Sequence, residues 1–95
     1  MKVQIRKLTN EERNSLKIPA TPTEKDGWSV WECNPSKFNW HYESEESAYL
    51  YAGRVKVRTN AETVEFKAGD FVVFPEGLSC QWEVLEKVMK VYRFK

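Results

Sequence analysis

The stretch from Gly69 to Val84, Gly-Asp-Phe-Val-Val-Phe-Pro-Glu-Gly-Leu-Ser-Cys-Gln-Trp-Glu-Val, contains the strongest structural signals in the chain. Its apolar run Phe71–Phe74 predicts a short buried strand, which Pro75 ends because proline has no N–H group for a β ladder. Gly77 favours a turn position with positive φ. From Leu78 onward apolar and polar residues alternate, which indicates a strand with one buried face. The stretch therefore predicts two strands joined by a Pro-Glu-Gly corner.

Short alternating segments separated by Gly, Asn and Pro continue along most of the chain, and we predict a single all-β domain, a small barrel or sandwich. We expect residues 1–27 to form an N-terminal strand and extension, and residues 28–95 to form the barrel. Thr9 and Glu12 have the spacing of a capping box at the start of one short helix. Gly53-Arg54 indicates a turn between two strands. About nine strands are expected, near residues 3–5, 28–32, 38–42, 47–52, 55–59, 63–67, 71–74, 78–84 and 87–94.

The composition limits the classes of partner and compartment. The chain has 95 residues, 41% of them hydrophobic, and a formal net charge of +1, so it lacks the basic excess of a nucleic-acid-binding domain. No apolar run is long enough for a membrane helix, and the N-terminus does not resemble a secretion signal. Cys33 and Cys80 are far apart in sequence and are expected to stay reduced. We therefore expect a cytoplasmic protein that contacts neither nucleic acid nor membrane.

The opening stretch resembles the second motif of the cupin superfamily, G-x5-P-x-G-x2-H-x3-N. Gly69, Pro75 and Gly77 occupy the glycine and proline positions of that motif. Cys80 stands where the motif has a metal-binding histidine, and Val84 stands where it has asparagine.

The segment from Cys33 to Gly53 resembles the first cupin motif, G-x5-H-x-H-x3,4-E-x6-G. In this alignment His41 takes the second histidine position, Glu46 the glutamate position and Gly53 the final glycine position. Asn39 replaces the first histidine, and Cys33 replaces the leading glycine. The resemblance implies an RmlC-like jelly-roll barrel, and it is strongest to small single-domain cupins of the (S)-ureidoglycine aminohydrolase type. The ethanolamine-utilisation cupin-like proteins belong to the same grouping.

The cupin resemblance implies a pocket that holds a divalent metal such as Mn, Fe, Ni or Zn. His41, Glu46 and Cys80 would be its ligands, and His41 and Glu46 are also the candidate acid and base. Asn39 and Trp82 would complete the pocket, because the two motifs in cupin register place all five residues on the inward faces of their strands. Other roles stay open: Cys80 as a small buried hydrophobe, His41 as a hydrogen-bonded pocket residue, and Trp82 as filling of the barrel.

Two main functional hypotheses follow. The first is a small-molecule-binding cupin with metal-dependent, hydrolase-like chemistry, and the second is a non-catalytic binding or structural module that has lost the metal site. Sugar-nucleotide isomerase or epimerase chemistry ranks last, because only His41 and scattered basic residues are present for it. The sequence leaves open whether the protein is an enzyme. Four Trp, four Tyr and five Phe residues exceed what a small barrel interior readily holds, so we also expect a homodimer.

Overall fold

Seven β-strands and one short helix make up the regular structure in the computed structural model, which describes residues 1–95. The predicted helix is present, and Thr9 and Glu12 form the expected reciprocal capping box. The elements in chain order are β1 (Gln4–Lys7), α1 (Asn10–Ser15), β2 (Ser29–Cys33), β3 (Ser36–His41), β4 (Glu46–Arg58), β5 (Thr63–Lys67), β6 (Asp70–Phe74) and β7 (Ser79–Phe94).

All strand pairs are antiparallel, and the two longest strands, β4 and β7, run through both halves of the barrel. The first half of β4 pairs with β6 and with the second half of β7, in a sheet with the order β1-β6-β4-β7-β2. The second half of β4 pairs with β5 and with the first half of β7, which also pairs with β3. This arrangement confirms the predicted all-β jelly-roll barrel.

The strand count differs from the prediction because β4 and β7 are each continuous where two strands were expected. The register of β4 against β7 shifts between Leu50 and Val55, so Gly53-Arg54 forms a bulge rather than a turn. Gly53 has a φ of 101°, and a Cβ atom there would lie 2.4 Å from the backbone oxygen of Lys87. The close approach of the two strands at this bend therefore requires glycine.

Strand alternation creates two separate hydrophobic clusters, one on each face of the sheet with the order β1-β6-β4-β7-β2. The first, which we call the inner cluster, fills the barrel. It contains Val3, Tyr42, Ala48, Leu50, Val55, Val57, Phe66, Val72, Phe74, Leu78, Cys80, Trp82, Val84 and Val88.

The second cluster, which we call the outer cluster, consists of Trp28, Tyr49, Phe71 and Val91. The N-terminal segment covers it, with Leu8, Leu16 and Ile18 packed against its rings. Trp28 donates a hydrogen bond from its indole N–H to the backbone oxygen of Leu16 at 3.0 Å. The outer cluster thus attaches the extension before β2 to the barrel wall.

Candidate functional site

A cavity of about 140 Å³ opens inside the barrel, and we call it the interior cavity. Seven of its nine lining residues are hydrophobic. Trp40 and Phe94 are 49% and 52% exposed, and they form its mouth. The complete lining is Trp31, Phe38, Trp40, Tyr42, Glu46, Trp82, Lys90, Tyr92 and Phe94.

The two charged lining residues, Glu46 on β4 and Lys90 on β7, form an ion pair. Lys90 Nζ donates a hydrogen bond to Glu46 Oε2 at 2.8 Å, and each side chain is only 6% exposed. A lone buried charge is strongly unfavourable, so each of these groups needs the other to remain charged inside the barrel. The cavity therefore contains a cation and an anion but carries no net charge from this pair.

Aromatic rings surround the Lys90 ammonium group. Its Nζ lies 4.8 Å from the ring centroids of both Trp31 and Trp82, and 5.5 Å from that of Tyr92. The π faces of such rings attract a cation, which partly replaces the water that the ammonium has lost. Burial lowers the pKa of Lys90, and the Glu46 carboxylate opposes that change. Deprotonation of Lys90 therefore costs less free energy than deprotonation of an exposed lysine.

Tyr42 supplies a second polar group at the cavity wall. The indole N–H of Trp82 donates a hydrogen bond to the Tyr42 hydroxyl oxygen at 3.1 Å. Burial raises the pKa of Tyr42, and the nearby Glu46 carboxylate raises it further. The phenol therefore keeps its proton and remains a hydrogen-bond donor.

The structure separates the five residues that the sequence placed in one pocket. Glu46 and Trp82 line the interior cavity, and Cys80 is buried in the inner cluster. Asn39 and His41 lie on the outside of β3, in an open groove that we call the polar groove and that Cys80 also lines. Its other lining residues are Trp40, Arg58, Thr59, Asn60, Ser79 and Gln81.

The pairing of β3 with β7 explains the separation. Directly paired residues of antiparallel strands point to the same face, and Trp40 pairs with the inward Cys80, whereas His41 pairs with Ser79. His41 Nδ1 lies 2.7 Å from Ser79 Oγ, outside the barrel. The prediction that Asn39 and His41 share a face was correct, but the prediction that this face points inward was wrong.

The cupin motif itself permits this register. It allows three or four residues between its second histidine and its glutamate. Three residues separate Tyr42 from Glu46, and four separate His41 from Glu46. The structure selects the three-residue spacing, so Trp40 and Tyr42 point inward at the positions that the motif gives to histidines. Ring stacking and cation binding by aromatic faces take the place of imidazole ligation there.

The residues present do not fit the divalent metal that the cupin resemblance implied. His41 lies outside the barrel, and Glu46 is held by Lys90. Burial raises the pKa of the Cys80 thiol to about 11, so the thiolate needed for ligation is strongly disfavoured. No group of three His, Cys, Asp or Glu side chains has a metal-binding arrangement. The predicted ligand set of His41, Glu46 and Cys80 is therefore not assembled.

Sequence reasoning missed Lys90, although the alternation of β7 contained a signal. Lys90 has the same phase as Val88 and Tyr92, which places a lysine on a face that is otherwise apolar. A charged residue in that phase indicates a buried partner of opposite charge. The partner, Glu46, is 44 positions away in sequence, so the local pattern does not identify it.

The comparison with protein families gives one decisive match. Residues 20–92 match the model described as the EutQ-like cupin domain, which covers most of the chain and both cupin-like motifs. The chain belongs to the EutQ-like cupin domain family. A comparison with curated proteins gave no significant match.

Solved structures agree with this family. A crystal structure of a DUF861 family protein from Thermotoga maritima superposes with a TM-score of 0.88 at 36% identity, over 99% of this chain and 100% of that one. The EutQ protein of Clostridium difficile gives a TM-score of 0.63 at 20% identity, over 68% of this chain and 52% of that one. A cupin-2 domain protein from Shewanella frigidimarina gives 0.61 at 13% identity, over 93% and 94% of the two chains, and these last two similarities concern the fold alone.

The large hydrophobic side chains that remain exposed are Met1, Trp40 and Phe94, and two of them lie at the cavity mouth. The homodimer expected from the aromatic content stays a prediction, and sedimentation at high micromolar concentration tests it. The single helix, α1, has six residues and cannot span a membrane.

Proposed function

We propose that this cupin domain is a binding module whose interior cavity takes an uncharged organic molecule about the size of one six-membered ring. The observation that carries the proposal is the apolar cavity beside a buried ion pair that is already neutral overall. The module would bind its ligand without the cupin metal, through aromatic walls and the hydrogen-bonding groups of Lys90 and Tyr42.

The volume of the cavity supports a ligand of this size. An engineered apolar cavity of about 150 Å³ in a protein interior binds benzene. The interior cavity measures about 140 Å³ and has walls of Trp, Phe and Tyr side chains. Flat rings pack well against such walls in offset or edge-to-face geometry.

The charge of the cavity supports an uncharged ligand. Lys90 and Glu46 already neutralise each other at 2.8 Å. A ligand carboxylate would add a second anion to a largely apolar site that has one cation, and the uncompensated charge is costly there. A hydroxyl, amide or carbonyl group gains hydrogen bonds from the ammonium or the phenol without that cost.

A ligand titration tests the proposal, with the indole N–H signals of the tryptophans followed by NMR. The probes are benzyl alcohol, benzoate, N-methylurea and glucose, each with and without Mn, Fe, Ni or Zn. We expect benzyl alcohol to bind about tenfold or more tightly than benzoate, since 1.4 kcal/mol corresponds to a factor of ten. The added metals should leave this affinity unchanged.

Two adjacent residues of β3 provide matched variants. Trp40 faces the cavity mouth and His41 faces the polar groove. Trp40→Ala should weaken benzyl alcohol binding, and His41→Ala should leave it unchanged. Binding of N-methylurea that requires a metal and is lost in His41→Ala would instead support the narrower alternative, a metal-dependent enzyme of the ureidoglycine aminohydrolase type. Failure of every neutral ring probe to bind would overturn the proposal.

A further inference from the structure

Lys90 is the only buried lysine, and its amine lies in the wall of the interior cavity. A lysine amine is a strong nucleophile toward carbonyl carbon when it loses its proton, and desolvation in an apolar pocket favours that form. The adjacent Glu46 carboxylate accepts the hydrogen bond from the amine at 2.8 Å, so it is placed to receive the proton. Nucleophile, proton carrier and binding space are therefore in one place.

We propose that Lys90 forms an imine with a ring-sized aldehyde held in the interior cavity. The proposal rests on the proposed function, because the cavity must first bind an uncharged ring-bearing molecule. It adds a class of ligand, the aromatic or cyclic aldehyde, and a reacting atom, Lys90 Nζ.

The reaction needs no reagent beyond the aldehyde. A proton moves from the Lys90 ammonium to the Glu46 carboxylate, and the freed lone pair of Nζ attacks the carbonyl carbon. The C=O π electrons move to oxygen, which takes the proton from Glu46. The positively charged nitrogen of the addition product then gives a proton back to Glu46. Finally, Glu46 protonates the hydroxyl group, water leaves, and the C=N bond forms as a protonated imine.

The charges of the product match those of the starting site. The protonated imine is a cation, and Glu46 is again a carboxylate beside it, so the cavity keeps a neutral ion pair at the end of the reaction. The rings of Trp31 and Trp82, which are centred 4.8 Å from Nζ, stabilise a cation at this position. The walls also restrict the water that would hydrolyse the imine.

Reductive trapping tests the proposal. The protein is incubated with benzaldehyde and sodium cyanoborohydride near neutral pH, and the modified lysines are located by peptide mass mapping. Lys87 is the internal reference, because it lies on the same strand but its side chain is 56% exposed. We expect Lys90 to be benzylated about tenfold or more faster than Lys87, because the cavity holds the carbonyl carbon next to the amine.

Variants separate the chemistry from the fold. Lys87→Met should leave trapping at position 90 unchanged. Glu46→Gln removes the carboxylate that opposes the fall in the pKa of Lys90, so trapping at Lys90 should begin at a lower pH than in the wild type. The double variant Glu46→Gln/Lys90→Met leaves no unpaired charge, so it should fold, and it should lose the fast-reacting site. Circular dichroism verifies folding in each case.

The outcomes distinguish the two proposals. Benzyl alcohol and benzaldehyde that both bind, with Lys90 trapped no faster than Lys87, would overturn the imine and leave the binding module standing. Absence of binding by both probes would overturn the two proposals together. An excess of trapping at Lys90 that benzyl alcohol suppresses by competition would support both.

Discussion

The inner and outer clusters are both built around aromatic rings, but they differ in where their charged groups lie. The inner cluster surrounds a buried ion pair and leaves a cavity beside it. The outer cluster keeps charge at its edge, where the Arg93 guanidinium lies 4.2 Å from the ring centroid of Trp28. A cluster that serves only for attachment gains nothing from buried charges, because their desolvation is costly. The charged cluster is therefore the one in which a function is expected, and stability and function should be separable by mutation.

Trp28→Ala should give the largest loss of stability in this comparison. Trp28 is 2% exposed, and its removal leaves a large void in the outer cluster and breaks the bond to Leu16. We expect the free energy of unfolding to fall by about 3–5 kcal/mol, as for other Trp or Phe truncations in cores. Urea denaturation measures this change. Benzyl alcohol affinity of the folded variant should be unchanged, and a parallel loss of affinity would show that the two clusters are not independent.

Lys90→Met should also be strongly destabilising, but for an electrostatic reason. It leaves the Glu46 carboxylate buried without a counter-ion, which typically costs about 3–5 kcal/mol. We expect a value near 3 kcal/mol, the lower end of that range, because Glu46 lines a cavity with an open mouth. The double variant Glu46→Gln/Lys90→Met should recover most of the loss in the same urea experiment. A single variant as stable as the wild type would show that the pair is dispensable.

Thr9→Ala should have a smaller effect that is confined to the segment over the outer cluster. The Thr9 hydroxyl accepts a hydrogen bond from the Glu12 N–H at 3.1 Å, and the Thr9 N–H donates one to the Glu12 carboxylate at 3.0 Å. Loss of such a cap costs about 1 kcal/mol. Thr21→Ala, in the same segment but outside the helix, is the control and should be nearly neutral. Equal effects of the two variants in thermal unfolding would argue against the cap.

Ionisation of the Cys80 thiol should have the smallest effect on stability, and this effect should appear only at high pH. Burial raises the pKa of its thiol from 9.0 to about 11, so the unfolded thiol ionises before the folded one does. The stability is therefore unaffected below pH 9 and falls as the pH rises from about 9 through about 11. In a Cys33→Ser background, disulfide-reagent labelling of Cys80 at pH 8 should be much slower than in urea. Rapid labelling of the folded protein would place the thiol on an accessible surface.

The sequence predicted most of the fold because its turn residues and alternation are local signals. The Pro75-Glu76-Gly77 corner and the Thr9 capping box depend only on neighbouring residues. Gly53-Arg54 was misassigned because a glycine at a bulge and a glycine at a turn have the same local signature. Only the partner strand, which passes against Gly53, distinguishes the two.

The site was harder to predict because alternation fixes which residues share a face but not which face is buried. Asn39 and His41 were assigned to the interior by motif spacing, although the other phase of β3 contains Phe38 and Trp40. Aromatic content alone favoured that other phase. The Glu46–Lys90 pair depends on strand pairing between distant segments, which local patterns do not contain.

The pairing of β4 with β7 also determines when the cavity comes into existence during folding. Their side-by-side arrangement brings together groups that are 44 positions apart, without a short hairpin between the two strands. Chains dominated by such distant pairings fold in about milliseconds to seconds, since a long loop must close before the contacts can stabilise it. Stopped-flow tryptophan fluorescence can measure this rate. The two charges remain hydrated until the barrel closes, so we expect the pocket to be absent from every earlier intermediate.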